Sequence, residues 1–237
     1  MPPTTPSIDT LLSHFTSSLH LHPRPTWLTQ TLSSQRQLPT GPALLASLKF
    51  RILASDITES LQPHANLCFP PTTHDGDVIS VTLPGPIAVQ VVAVEDVGVS
   101  RVEQIDKIEM AERGEIQRGR EVIRVVPEID GVETQVEGGG VGQGEQKVKT
   151  GPCKVLLEDA GGRRVYGIEL KPVEGIKSDM AIGAKLVLRH VVVTRGLLLL
   201  TPATTTFLGG KIEVMNQAWL ASRKQTLQTA IEALKPQ

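Results

Sequence analysis

Aromatic residues are scarce in this chain, with four Phe, two Trp and one Tyr among 237 residues. Sequence-tolerant binders of single-stranded nucleic acid use several exposed rings as stacking platforms, and few are available here. No sign of charge dominates either. Lys and Arg number 24 against 25 Asp and Glu, a net charge of -1, so the strongly basic balance of a nucleic-acid binder is missing from the chain as a whole. The two cysteines, Cys68 and Cys153, have no CxxC motif or clustered histidine nearby, which leaves zinc ligation unsupported and predicts reduced, mostly buried thiols. The six histidines, His14, His20, His22, His64, His74 and His190, show no ligand spacing. No apolar run approaches the roughly 20 residues needed to span a bilayer. The first ten residues lack the basic segment and apolar core of a secretory signal, so a soluble protein of cytosol or nucleus is expected. Nucleophile elbows are missing, and the glycine run at 138–144 lacks the Gly-Lys-Ser/Thr ending of a phosphate-binding loop. The acidic pairs Glu95-Asp96 and Glu158-Asp159 fall at expected strand ends, where carboxylates commonly face solvent, and are not read as catalytic or magnesium-binding. No catalytic residue, metal site, cofactor or small-molecule substrate is assigned.

What the chain does have is a sufficient supply of apolar residues, 40 per cent of the total, in two different periodicities. Ser7 can cap a helix in which Ile8, Leu11, Leu12, Phe15 and Leu19 form one stripe of a 3.6-residue period. A second short helix carries Trp27, Leu28, Thr31 and Leu32, and a third begins near Pro42 and carries Leu44, Leu45, Leu48 and Ile52. None would be stable alone in water, so residues 1–62 are expected as a three-helix bundle. Residues 63–86, with five prolines, read as a linker.

From residue 87 the pattern changes to strands. IAVQVVAV at 87–94 is apolar on both alternating faces and reads as a central strand. Residues 98–150 form a long insertion, about half charged or amide over its first part, with weak helical periodicity through Val102, Ile105, Ile108 and Glu112. The glycine-rich segment 130–151 has no large apolar residue and is expected to be disordered. Strand signals resume at 154–157 and 164–170 around a turn at Ala160-Gly161-Gly162, and two dense apolar runs follow at 186–193 and 197–200, with 204–208 closing the region. Residues 213–237 hold a final helix, with Leu220, Leu227, Ile231 and Leu234 near one face and Met215 four residues before Trp219. Counted as five strands with an insertion after the first, residues 87–212 fit the small Greek-key barrel called the OB-fold. The expected class is α+β: helical bundle, five-stranded barrel, C-terminal helix.

Wording in 183–212 adds a family. Gly183-x-Lys185-Leu186, then Arg195-Gly196-Leu197-Leu198-Leu199-Leu200-Thr201-Pro202, then Leu208-Gly209-Gly210 resemble, in that order, the barrel end of the RecQ-mediated genome instability protein 1 family. VVAVEDVGVSRVEQIDKIE resembles that family's first strand running into its insertion, and the helices before it fit the family's N-terminal bundle. Ala184 stands where the family more often has Thr, and a second, C-terminal OB domain is not expected here.

The resemblance implies a non-catalytic nuclear subunit that binds a type IA topoisomerase, topoisomerase III, and a RecQ-family helicase. Such an assembly promotes decatenation and dissolves double Holliday junctions. The insertion is implied to reach the topoisomerase, through Arg101, Val102, Gln104, Ile105, Ile108, Glu109, Arg118, Arg120 and Ile123, with Lys185 and Arg195 as partner contacts on the barrel. Apolar side chains among guanidinium groups suit docking to a protein surface that carries carboxylates. The alternative is a single-stranded nucleic-acid module with Lys154, Arg163, Arg164, Lys171, Lys185, Arg189 and Arg195 lining a groove beside Tyr166, for which at most weak, salt-sensitive binding is expected.

Overall fold

The computed structural model describes residues 7–34, 39, 41–113 and 151–234. The first helix, α1 (Ile8–Leu19), starts where Ser7 accepts the amide of Thr10 and ends at His20 in a left-handed conformation. Helices α2 (Pro25–Ser33) and α3 (Pro42–Ala54) each begin on proline, whose fixed φ suits a first helical turn. The one-turn helix α4 (Ile57–Ser60), capped by Asp56, was not expected from periodicity because four residues show none. Leu11, Phe15, Leu21, Leu28, Leu44, Leu48, Ile52, Ile57 and Leu61 from these elements share one apolar core.

Among the described residues eight strands follow: β1 (Val81–Leu83), β2 (Ile87–Asp96), β3 (Cys153–Asp159), β4 (Arg164–Glu169), β5 (Lys185–Leu188), β6 (Val191–Thr194), β7 (Leu197–Leu200) and β8 (Thr205–Gly209). They form one curled, mixed sheet in the order β1-β6-β7-β4-β3-β2-β5-β8, parallel only between β4 and β7. Five strands were expected. The run at 186–193 is two strands, β5 and β6, because His190 takes a positive φ of 48° and turns the chain. The segment at 204–208 is a full strand on β5, and β1 lies inside the proline-rich stretch read as a linker, at the sheet edge where neighbouring prolines cost no ladder bonds. That stretch also buries Phe69 and Thr73.

Strand β2 explains its own two-faced apolar sequence. Val89 and Val91 enter the core of the sheet, while Ala88 packs on the core of the helices. Polar side chains pin this junction. Gln90, wholly buried, accepts the amide of Ile57 at 3.0 Å, and Asp159 accepts those of Phe69 at 2.7 Å and of Gly161 and Arg163 at 2.9 Å each. Gly210, at φ 100°, lies so close to the carbonyl of Leu53 that a Cβ there would stand 2.4 Å from its oxygen. The last helix, α6 (Glu213–Glu232), lays Met215, Trp219, Arg223, Leu227 and Ile231 inward at steps of four, whereas Leu220 and Leu234, expected on the buried face, are exposed.

Candidate interaction site

The insertion leaves the sheet through a narrow neck. At the end of β2, Asp96 accepts the amide of Gly98 at 2.8 Å, and the amide of Val97 donates to the carbonyl of Pro152 at 2.9 Å. Gly98 and Gly151 touch backbone to backbone: a Cβ on Gly98 would stand 2.7 Å from the Cα of Gly151, and one on Gly151 would stand 2.6 Å from that of Gly98. Entry and exit of the insertion are thereby held together. Gly151 is the one residue of the segment 130–151 that is described; the expectation of disorder for the rest lies outside the described residues.

Directly after the neck stands α5 (Arg101–Glu112), whose first turn is capped by Ser100 accepting the amide of Glu103. Gln104 is buried and donates to the carbonyls of Asp96 at 2.9 Å and Val99 at 3.0 Å, tying the helix to the end of β2. Arg101 meets Glu95 at 2.7 Å. On its other side α5 lies against α6, where Lys224 reaches Glu109 at 3.0 Å and Glu112 at 3.2 Å, two carboxylates that raise its pKa.

Six of the insertion residues chosen from sequence are thus placed together on one short helix, with different duties. Gln104 is an internal strut, Arg101 and Glu109 are ion-paired within the chain, Ile105 and Ile108 are half-buried, and Val102 is 56% exposed. Arg118, Arg120 and Ile123 lie outside the described residues. Of the two barrel residues, Lys185 requires correction. Lys185 is 1% exposed, donating to the carbonyl of Gly183 at 2.7 Å and lying 3.5 Å from that of Leu53, so its ammonium is an interior group and not a surface contact. Burial lowers its pKa to about 7, with Asp56 opposing the shift. Arg195 is exposed in the β6–β7 turn at φ 46°, its amide donating to the carbonyl of Val78. Arg195, between β6 and β7, and Lys185, on β5, are separated by β4, β3 and β2 in the sheet order.

The groove proposed for nucleic acid loses several of its cations. Lys185 is buried, Arg163 donates to the carbonyl of Phe69, and Arg164 pairs with Glu158 at 2.9 Å. The acidic pairs also depart from expectation, since Asp96, Glu158 and Asp159 are buried rather than solvent-facing and serve as backbone or ion-pair partners. Both cysteines are free, and burial pushes the Cys153 thiol up to about 12. Among the described residues no cluster of three or more His, Cys, Asp or Glu side chains could hold a metal ion, and no helix is long and apolar enough to cross a membrane. What sequence reasoning missed is the role of α6. Its Trp219, Arg223 and Lys224 meet the sheet and α5 only through folding, and no local spacing announces contacts between residues 112 positions apart.

Comparison with known proteins agrees with this architecture. A family model described as "RMI1, N-terminal helical domain" matches residues 15–60, and one described as "RMI1, N-terminal OB-fold domain" matches residues 67–223. RecQ-mediated genome instability protein 1 of Schizosaccharomyces pombe is 32% identical over 184 residues, 73% of this chain and 74% of the relative. The proteins of the same name from Arabidopsis thaliana and Oryza sativa subsp. japonica are 35% and 33% identical over 66 residues, 28% of this chain but only 10% and 8% of their own lengths. Fold, domain order and identity agree, and the chain belongs to the family of RecQ-mediated genome instability protein 1.

Proposed function

We propose that this chain is a non-catalytic OB-fold subunit that binds topoisomerase III, a type IA enzyme, works beside a RecQ-family helicase, and promotes decatenation and double Holliday junction dissolution in the nucleus. The observation that carries the reading is the mounting of the insertion. Its two ends meet at Gly98 and Gly151, and its first helix is braced by Gln104 on one side and Lys224 on the other. Such a mount suits an element that must be presented to another protein in a fixed direction, because pre-ordering lowers the entropic cost of docking.

Replacing residues 114–150 by a short Gly-Ser linker, with the neck and α5 intact, tests it. Stimulation of topoisomerase III in a decatenation assay is expected to fall at least about tenfold, the loss of about 1.4 kcal/mol of productive binding, with the thermal midpoint unchanged. Full stimulation by the replacement protein would remove residues 114–150 from the role given to the insertion and leave α5 alone to carry it. A single-stranded nucleic-acid groove has less support, because Arg163, Arg164 and Lys185 are engaged within the chain.

A further inference from the structure

Between α6 and the outer face of β2, β3 and β4 lies a cavity of about 200 Å³, distinct from the neck and from the exposed side of α5. Its apolar wall is formed by Ala93, Leu156, Tyr166 and Trp219. Two cations stand over the two rings: the Lys154 ammonium is 4.3 Å from the Tyr166 ring centre and the Arg223 guanidinium is 4.7 Å from that of Trp219. In a chain with seven aromatic residues, two ring-and-cation pairs share one cavity.

These cations are not engaged by ion pairs. Glu95, the cross-strand partner of Lys154, is held by Arg101, and among the described residues neither Lys154 nor Arg223 has a carboxylate within 4 Å. The acids whose charge Arg223 feels are Asp179 and Asp96, both beyond that distance. Gln104, on the inner wall, is 5% exposed, and its Oε1 is buried without a hydrogen-bond partner, the kind of group that an incoming donor would satisfy.

We propose that this cavity is a docking site for a short acidic peptide of a partner protein, taking one bulky apolar side chain between Tyr166 and Trp219 while flanking carboxylates meet Lys154 and Arg223. The dimensions select this occupant. Small-molecule and cofactor sites run to about 300–1,000 Å³, above what is present here, whereas one side chain needs less. A nucleic-acid strand needs a row of cations at phosphate spacing and successive stacking faces, and here there are two cations with Asp96 and Asp179 close behind one of them. Of the insertion the site uses only Gln104 on α5, and it stands whether or not residues 114–150 contact a topoisomerase.

Indole signals of the full chain, labelled with 15N, test the proposal, since the two tryptophans are Trp219 in the cavity wall and Trp27 on α2, which packs on the core of the helices and does not line the cavity. The probes are a capped hexapeptide Glu-Asp-Phe-Asp-Glu-Asp, the same peptide with Ala for Phe, the same with Lys for every acid, and a 12-nucleotide oligothymidylate. The Phe-containing acidic peptide is expected to shift the Trp219 signal saturably and leave Trp27 unmoved, and the other three to have no such effect. Lys154→Glu should weaken binding about fivefold, one surface pair lost and another inverted. Tyr166→Ala, at a ring 48% exposed, should abolish it with the fold retained, as read from the thermal midpoint. No saturable shift, an equal shift by the lysine peptide, or unchanged affinity in folded Tyr166→Ala would overturn the proposal, and a shift by oligothymidylate alone would overturn it in favour of nucleic acid.

Discussion

The ammonium of Lys185 sits between two carbonyls, at 2.7 Å from that of Gly183 in the turn before β5 and 3.5 Å from that of Leu53 on α3. Burial disfavours its charged form more than the neighbouring Asp56 carboxylate favours it, so its pKa in the folded protein, about 7, is well below the 10.5 of a free lysine. Between those values the unfolded chain binds more protons than the folded one, and stability must rise with pH. Below about pH 7 both states are charged and the contribution is flat. Lys185→Met keeps the length of the side chain and removes the titration. Urea unfolding of both proteins from pH 6.5 to 9 should show the wild type gaining about 2 kcal/mol relative to the variant between pH 7 and 9, and parallel stability curves would sink the assignment. The motif Gly183-x-Lys185-Leu186 was visible in sequence, but its direction was not: on a four-residue strand buried throughout, an alternating in-and-out reading has nothing to work with.

Helix α5 is mounted by three kinds of contact of unequal strength. The exposed bridges from Lys224 to Glu109 and Glu112 orient the helix and contribute little to global stability. The buried bonds of Gln104 and the glycine neck hold more firmly. Lys224→Glu should therefore leave the thermal midpoint nearly unchanged while accelerating amide exchange in α5 and not in β2 or β3, a pattern hydrogen exchange resolves directly. Gly98→Ala is different, because its Cβ must displace the Gly151 backbone; it should cost roughly 1–3 kcal/mol, read from chemical unfolding, and a neutral result would mean the neck opens freely. Elements of this kind were only partly legible. Helix α1 and strands β2, β3 and β4 follow from periodicity and bounding turns, since each buries a face its own residues mark out. Strand β1 was hidden by its prolines, the β5–β6 break by a single left-handed histidine, and the inward face of α6 by Arg223, a charged residue in the middle of the buried stripe.

Across the whole molecule, the helices and the sheet meet over a junction that neither closes alone. Ala88 of β2 and Ala160 of the β3–β4 turn belong to the core of the helices, and Leu208 of β8 packs against it. The polar partners crossing the same junction are buried: Gln90 with Ile57, and Lys185 with Leu53. An amide or carboxylate left unpaired in such a place carries its full desolvation penalty, so the junction stabilises only when both sides are present. This long-range arrangement leaves little trace in sequence, where 63–86 reads as a spacer between two independent units. The described residues are accordingly expected to unfold in one transition, with tryptophan fluorescence from Trp27 on the helices and Trp219 beside the sheet changing at the same urea concentration. Gln90→Leu removes the acceptor of the Ile57 amide and should cost about 1–3 kcal/mol while keeping the two signals coincident. Separated midpoints for Trp27 and Trp219, read in Trp27→Phe and Trp219→Phe proteins, would show instead that the helices melt on their own and that the buried contacts of β2 do not couple them to the sheet.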